Sequence, residues 1–155
     1  MTEATFWLII SLFNWSAEGG DYAVIEPAVV ELSEKSEQEI LAFDEILTQK
    51  LYALDTVAHA KEIGKGSYVE GASHLGGPEY FSPDMFLYVR CGLVANGRAM
   101  YEKVFVDPKA FPKDLDFEAL LMVASIAYER KTGKEFDPAP TKFSYETFSN
   151  KTGWQ

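Results

Sequence analysis

Ser36-Glu37-Gln38-Glu39 constrains the fold of this chain more than any other four residues. A serine followed three places on by a glutamate forms a capping box: the hydroxyl accepts the backbone N–H of Glu39, and the carboxylate returns to the N–H of Ser36. A helix therefore starts here. The apolar residues after it keep helical spacing at Ile40, Phe43, Leu47, Leu51 and Leu54, while Glu45, Gln49 and Lys50 turn outward. The spacing extends through Val57 and Ala60 to Ile63, so the helix is expected to run on to a stop at Gly64. A stripe of that length needs other helices to cover it.

The flanking sequence supplies them. Phe6, Ile9, Ile10 and Phe13 fall at i, i+3, i+4 and i+7, with Trp7, Leu8 and Leu12 on a second face. This first helix is expected to be buried on most of its circumference and to end at Glu18-Gly19-Gly20. A second helix begins near Tyr22 or Pro27; because proline fits only a first turn, the irregular part is placed before Ala28, with Ile25, Val29 and Leu32 as the stripe. Residues 64–78 hold Gly64, Gly66, Gly71, Gly76 and Gly77 and read as a loop. Ser82-Pro83 has the form of an N-cap and first helical residue, with Phe86, Val89, Leu93 and Val94 inward. Asn96-Gly97 interrupts that helix before Tyr101, Val104 and Phe105, and Asp107-Pro108 breaks the pattern. A last helix over 116–131 carries Leu120, Val123, Ala124 and Ala127 and stops at Thr132-Gly133. The expected architecture is all-α: a single compact domain of about six helices over residues 1–133, with a glycine-rich loop. Residues 134–155, with Pro138, Pro140, Phe143, Tyr145, Phe148 and Trp154, form an aromatic C-terminal tail packed on it.

Charge narrows the partners. The chain carries a net charge of −10, and residues 1–45 hold ten acids against the single base Lys35. A phosphate backbone is bound through a basic surface, so no direct nucleic-acid partner is expected. The lone Cys91 cannot close an internal disulfide and reads as a small buried filler, which fits a reducing cytoplasm. The apolar run 6–13 has no basic residue ahead of it and is too short to span a bilayer, so no membrane association is expected.

The ordered set Phe6-Trp7, Ser36-x-x-Glu39-Ile40-x-x-Phe43, Phe86-x-Tyr88-x-Arg90-x-x-Leu93-Val94-x-x-Gly97-Arg98-x-x-Tyr101-Glu102, Asp107-Pro108, Val123-Ala124-x-x-Ala127-Tyr128-Glu129 and Thr132-Gly133 resembles the DUF4240 family, small bacterial helical domains of no assigned function. The resemblance covers roughly residues 4–133, and its most specific part runs from Phe86 to Pro108. Residues 64–81 are longer than the family's short connection, and Ser82-Pro83-Asp84 replaces a more acidic turn. The resemblance implies an all-α fold and carries no catalytic residues over.

The chain has no HExxH, CxxC, GxxxxGK[ST] or GxSxG, which leaves metal, P-loop and serine-hydrolase chemistry without an anchor; no cofactor, metal or catalytic residue is expected. His59, within the helical pattern, reads as a surface or satisfied core group. Arg90 either lies buried against a carboxylate such as Asp84 or Asp55, or reaches into a cleft to hold an anion. Two readings of function stand beside a third, an accessory domain that only assembles with other chains through its aromatic-rich tail. In the first, the acids Glu18, Asp21, Glu26, Glu31, Glu34, Asp44 and Glu45 form an acidic surface that docks a basic protein such as a toxin or effector, as an immunity or inhibitor protein would. In the second, a small enzyme or ligand-binding domain uses His74, Asp84, Tyr88 and Arg90 in a pocket beside the 71–77 loop.

Overall fold

In a computed structural model that describes residues 1–77 and 79–155, the chain forms seven α-helices. They are α1 (Glu3–Ile10), α2 (Asp21–Ser33), α3 (Glu37–Ala53), α4 (Val57–Ala60), α5 (Pro83–Ala95), α6 (Arg98–Val106) and α7 (Val123–Thr132). Three 3-10 turns, Pro108–Ala110, Glu118–Met122 and Lys151–Trp154, complete the regular structure. Among the described residues there is no strand, only a single parallel bridge between Ser73 and Tyr80. Pro78, the last residue of the expected glycine loop, lies outside the described residues.

Helix starts follow their local chemistry. Ser36 Oγ accepts from the Glu39 N–H at 3.3 Å while Glu39 Oε2 takes the Ser36 N–H at 3.1 Å, so the capping box is complete. Ser82 caps α5 by accepting from Met85 N, and Pro83 occupies its first position. Ile40, Phe43, Leu47, Leu51 and Leu54 are all buried, as are Phe86, Val89, Leu93 and Val94. Helix α5 is central: it packs on α3, α6 and the Glu118–Met122 turn, while α2 lies along α7. No helix among the described residues is long and apolar enough to cross a membrane.

Several boundaries differ from expectation. Helix α1 ends at Ile10, where Ser11 Oγ turns back to the Leu8 carbonyl at 2.6 Å, and the chain reaches Gly20 through turns built on Asn14. It is also one-sided, with Leu8 67% and Leu12 40% exposed. Helix α2 runs through Pro27, which is solvent-exposed, so the backbone bond it cannot donate is lost where water can replace it. Helix α3 stops at Ala53 because Asp55 must reach a buried network and Thr56 caps the separate α4, accepting from His59 N at 3.2 Å. This break makes seven helices of the expected six. The last helix begins at Val123, not near 116. A Cβ on Gly92 would lie 2.8 Å from Leu115 Cγ and 3.1 Å from the Asp116 carbonyl carbon, and Phe117 N donates to Tyr88 O at 3.0 Å. That close crossing of α5 keeps residues 115–117 out of the helix.

Candidate functional site

The acids of the first third divide once placed. Glu26 is held by both guanidinium nitrogens of Arg130 at 2.8 and 3.0 Å, and Glu31 pairs with Lys35 at 2.8 Å. Glu34 caps the end of α2 and Glu45 accepts from Gln49 at 3.4 Å. Asp44 is half-buried beneath residues 138–145, and burial pushes its carboxyl up to about 6. The expected single acidic surface is therefore broken up by ion pairs and by the tail. Glu18 and Asp21, like Glu34 and Glu45, are exposed and outside any ion pair among the described residues.

Those two acids sit with aromatic groups that charge patterning alone did not single out. Trp15, 53% exposed, packs on Phe117 with ring centroids 5.0 Å apart. The next residues, Glu118 and Ala119, line a shallow depression with Asp21, Tyr22 and Met122, and Tyr22 is 60% exposed. Helix α5 borders the same face: Glu118 raises the Tyr88 hydroxyl above its ordinary value through a hydrogen bond, and Asp84 adds to this through space. The Trp15-to-Asp21 turn and the Glu118–Met122 turn thus build one face of exposed aromatics and unpaired carboxylates. The signal available in sequence was Trp15 and Tyr22 flanking Glu18-Gly19-Gly20-Asp21.

The second expected pocket does not assemble as four converging groups. Tyr88 faces Glu118 with Asp84 close enough to act on it, whereas Arg90 points to the other side of α5 and is 0% exposed. Its Nη1 donates to Leu51 O at 2.8 Å, its Nη2 to Thr147 Oγ1 at 2.8 Å and its Nε to Phe86 O at 3.4 Å, with the guanidinium over the Phe86 ring. It makes no ion pair with Asp84 or Asp55 within 4.0 Å, and burial lowers it to about 10. It reaches no cleft. Asp55, also 0% exposed, accepts from Phe148 N (3.1 Å), Trp154 Nε1 (2.8 Å), Asn150 N (3.0 Å) and Ser149 Oγ (3.4 Å). His74 lies at the rim of this region, its ring 5.2 Å from that of Phe148. Sequence reasoning weighed Asp55 only as a partner for Arg90; Thr147 and the tail donors are too distant in sequence to have been found that way.

Two other titratable groups are accounted for by packing. His59 Nε2 donates to Val104 O at 3.2 Å while Nδ1 accepts from Thr56 Oγ1 at 2.7 Å, and burial holds it below its ordinary value. Burial pushes the Cys91 thiol up to about 12. A cavity of about 390 Å³ opens between residues 63–66 and α5, walled by Ile63, Met85, Val89 and Leu115 and rimmed by Lys65, Asp114 and Asp116. His74, Asp84, Tyr88 and Arg90 are not in its lining. No group of three or more histidine, cysteine or carboxylate side chains placed to hold a metal ion occurs among the described residues.

Residues 1–130 match the family model described as "Protein of unknown function (DUF4240)". No curated protein and no solved structure matches the chain.

Proposed function

The chain belongs to the DUF4240 family, and on that premise we propose that it is a non-catalytic protein-binding domain that docks a basic partner. The finer reading is an immunity or inhibitor protein that occludes the basic active site of a toxin or effector in the bacterial cytoplasm. The observation that carries it is the face formed by Trp15, Tyr22 and Met122 with Asp21 and Glu118, with the exposed Glu18 on the turn between Trp15 and Asp21. Interface hot spots are rich in Trp and Tyr, which bury large area with few rotors, and surrounding charge of one sign steers a partner of the other. The net charge of −10 favours fast association over long range.

The reading is tested with the full chain as bait in cells that produce it, followed by binding kinetics on the captured partner. A basic partner is expected, with an association rate that falls steeply with salt. It falls again when Glu18, Asp21 and Glu118 are reversed to lysine, and Trp15→Ala raises the dissociation rate. Reversal of Glu26 and Glu31, already paired within the chain, should change little. A partner whose binding ignores the first set and responds to the second would refute this face.

The cavity of about 390 Å³ favours a second reading, binding of a small, largely apolar ligand with a polar end. Met85→Trp would fill it, and a fragment screen by NMR in which shifts at Val89 and Leu115 vanish in that variant would support this reading.

A further inference from the structure

We infer that the groove bounded by the end of α3, α4, the glycine-rich loop and the start of α5 is a recognition site for a short turn-forming peptide, occupied here by residues 147–154 as a ligand carried on the same chain. It lies apart from the acidic face and does not depend on it.

The floor of the groove holds two opposite charges, Asp55 and Arg90, both removed from solvent. Buried ions are tolerated only when hydrogen bonds replace their hydration. All four hydrogen bonds to the Asp55 carboxylate come from residues 148–154. One of the three bonds from Arg90 ends on Thr147. The groove thus supplies the charges and the segment supplies the complement. Asp55 and Arg90 lie inside the family region, and every one of these partners lies beyond residue 130.

The segment is read residue by residue. Thr147 Oγ1 accepts from Arg90 and donates to Pro83 O at 2.7 Å, a double role that requires a β-hydroxyl. Phe148 adopts φ 71°, a left-handed conformation unfavourable for a bulky side chain. That turn aims the N–H groups of both Phe148 and Asn150 at one carboxylate, while the Phe148 ring packs 4.5 Å from Trp154. Asn150 Nδ2 donates to Tyr52 O at 3.2 Å. Gly153 passes so close that a Cβ there would sit 2.8 Å from Asp55 O. Trp154 then fills an aromatic slot between Tyr68, Phe81 and Phe86 and closes the network with its indole N–H. The chemistry recognised is a turn followed by one 3-10 turn, with a hydroxyl residue, an aromatic at positive φ, an asparagine and a Gly-Trp pair.

The stretch that tethers this segment, 134–142, is mostly exposed, so the segment can leave without dismantling the helices. Leaving strips the Asp55 carboxylate of all its partners and Arg90 of one of its three, and an open groove therefore favours any segment of the same pattern.

The test uses the full chain throughout. In hydrogen exchange on the unaltered protein, the amides of Phe148 and Asn150 are expected to exchange through an opening that leaves those of α3 and α5 protected. A labelled synthetic peptide of residues 143–155 is then titrated against the full chain carrying Trp154→Ala, whose own segment is weakened. Saturable one-to-one binding is expected, reduced by about tenfold or more when the peptide carries Thr147→Val and Trp154→Ala. The proposal is overturned if Phe148 and Asn150 exchange only together with α3 and α5, if the folded variant does not bind the peptide, or if the peptide substitutions leave binding unchanged. Should the variant fail to fold, the exchange measurement on the unaltered chain decides.

Discussion

Asp44→Asn isolates the contribution of a single buried carboxylate. Asp44 projects from α3 toward a cavity of about 290 Å³ that it lines with Thr48, Pro138, Thr141 and Tyr145, and it accepts no hydrogen bond among the described residues. Burial alone raises it from 3.8 to about 6, so in the window between those values the folded chain keeps a proton that the unfolded chain has released. Stability therefore falls as pH rises through the window and is constant above it. Two pK units correspond to at most about 3 kcal/mol, and the part of the side chain that water reaches reduces this to about 1.5–3 kcal/mol. His59 acts in the opposite sense: burial lowers it, so the unfolded chain takes up the proton first and stability is gained as pH rises toward the ordinary histidine value. That effect is common to both proteins and cancels in their difference. Urea unfolding of wild type and variant at pH 4 and pH 7 measures the difference directly. The variant should gain about 1.5–3 kcal/mol on wild type between the two pH values. Parallel pH profiles would show that Asp44 is solvated or paired in solution and would refute the reasoning.

Three further substitutions probe the frame. Thr147→Val leaves an Arg90 donor without a partner and removes the second bond to the Pro83 carbonyl, and it should destabilise by about 1–3 kcal/mol in urea unfolding, with Thr147→Ser recovering most of it. Ser36→Ala removes one half of the capping box and should lower stability by about 1 kcal/mol in the same assay. Gly64→Ala forces a β-carbon to within 2.9 Å of Asp114 Oδ1 at φ +93°, so a loss of about 1–3 kcal/mol is expected, read as a lower melting temperature.

Local signals in the sequence were sufficient wherever the partner lies within a turn or two. The Ser36 box, the Ser82-Pro83 start, the Gly133 stop in left-handed conformation and the leucine stripe of α3 all belong to this class. Pro27 misled because the rule against an interior proline concerns a lost backbone bond, and that loss is small on a wet face. The run from Leu54 to Ile63 kept helical spacing but not one continuous helix, since α4 covers only Val57–Ala60. Asp55 within it answers to donors 93 to 99 residues away, which no periodicity encodes. The acidic third was legible as composition. Its division into paired and unpaired carboxylates was not, since Arg130 lies 104 residues from Glu26.

The distance between Asp55 and its donors also imposes an order in time. A ribosome adding about 5–20 residues per second takes roughly 5–20 s to cover the 93 residues from Asp55 to Phe148. From the completion of α5 at Ala95 to the end of that interval, α3–α5 have been made while the groups that hydrogen-bond the buried carboxylate have not. The helices of the nascent chain must therefore leave that floor wet, and residues 147–154 dry it.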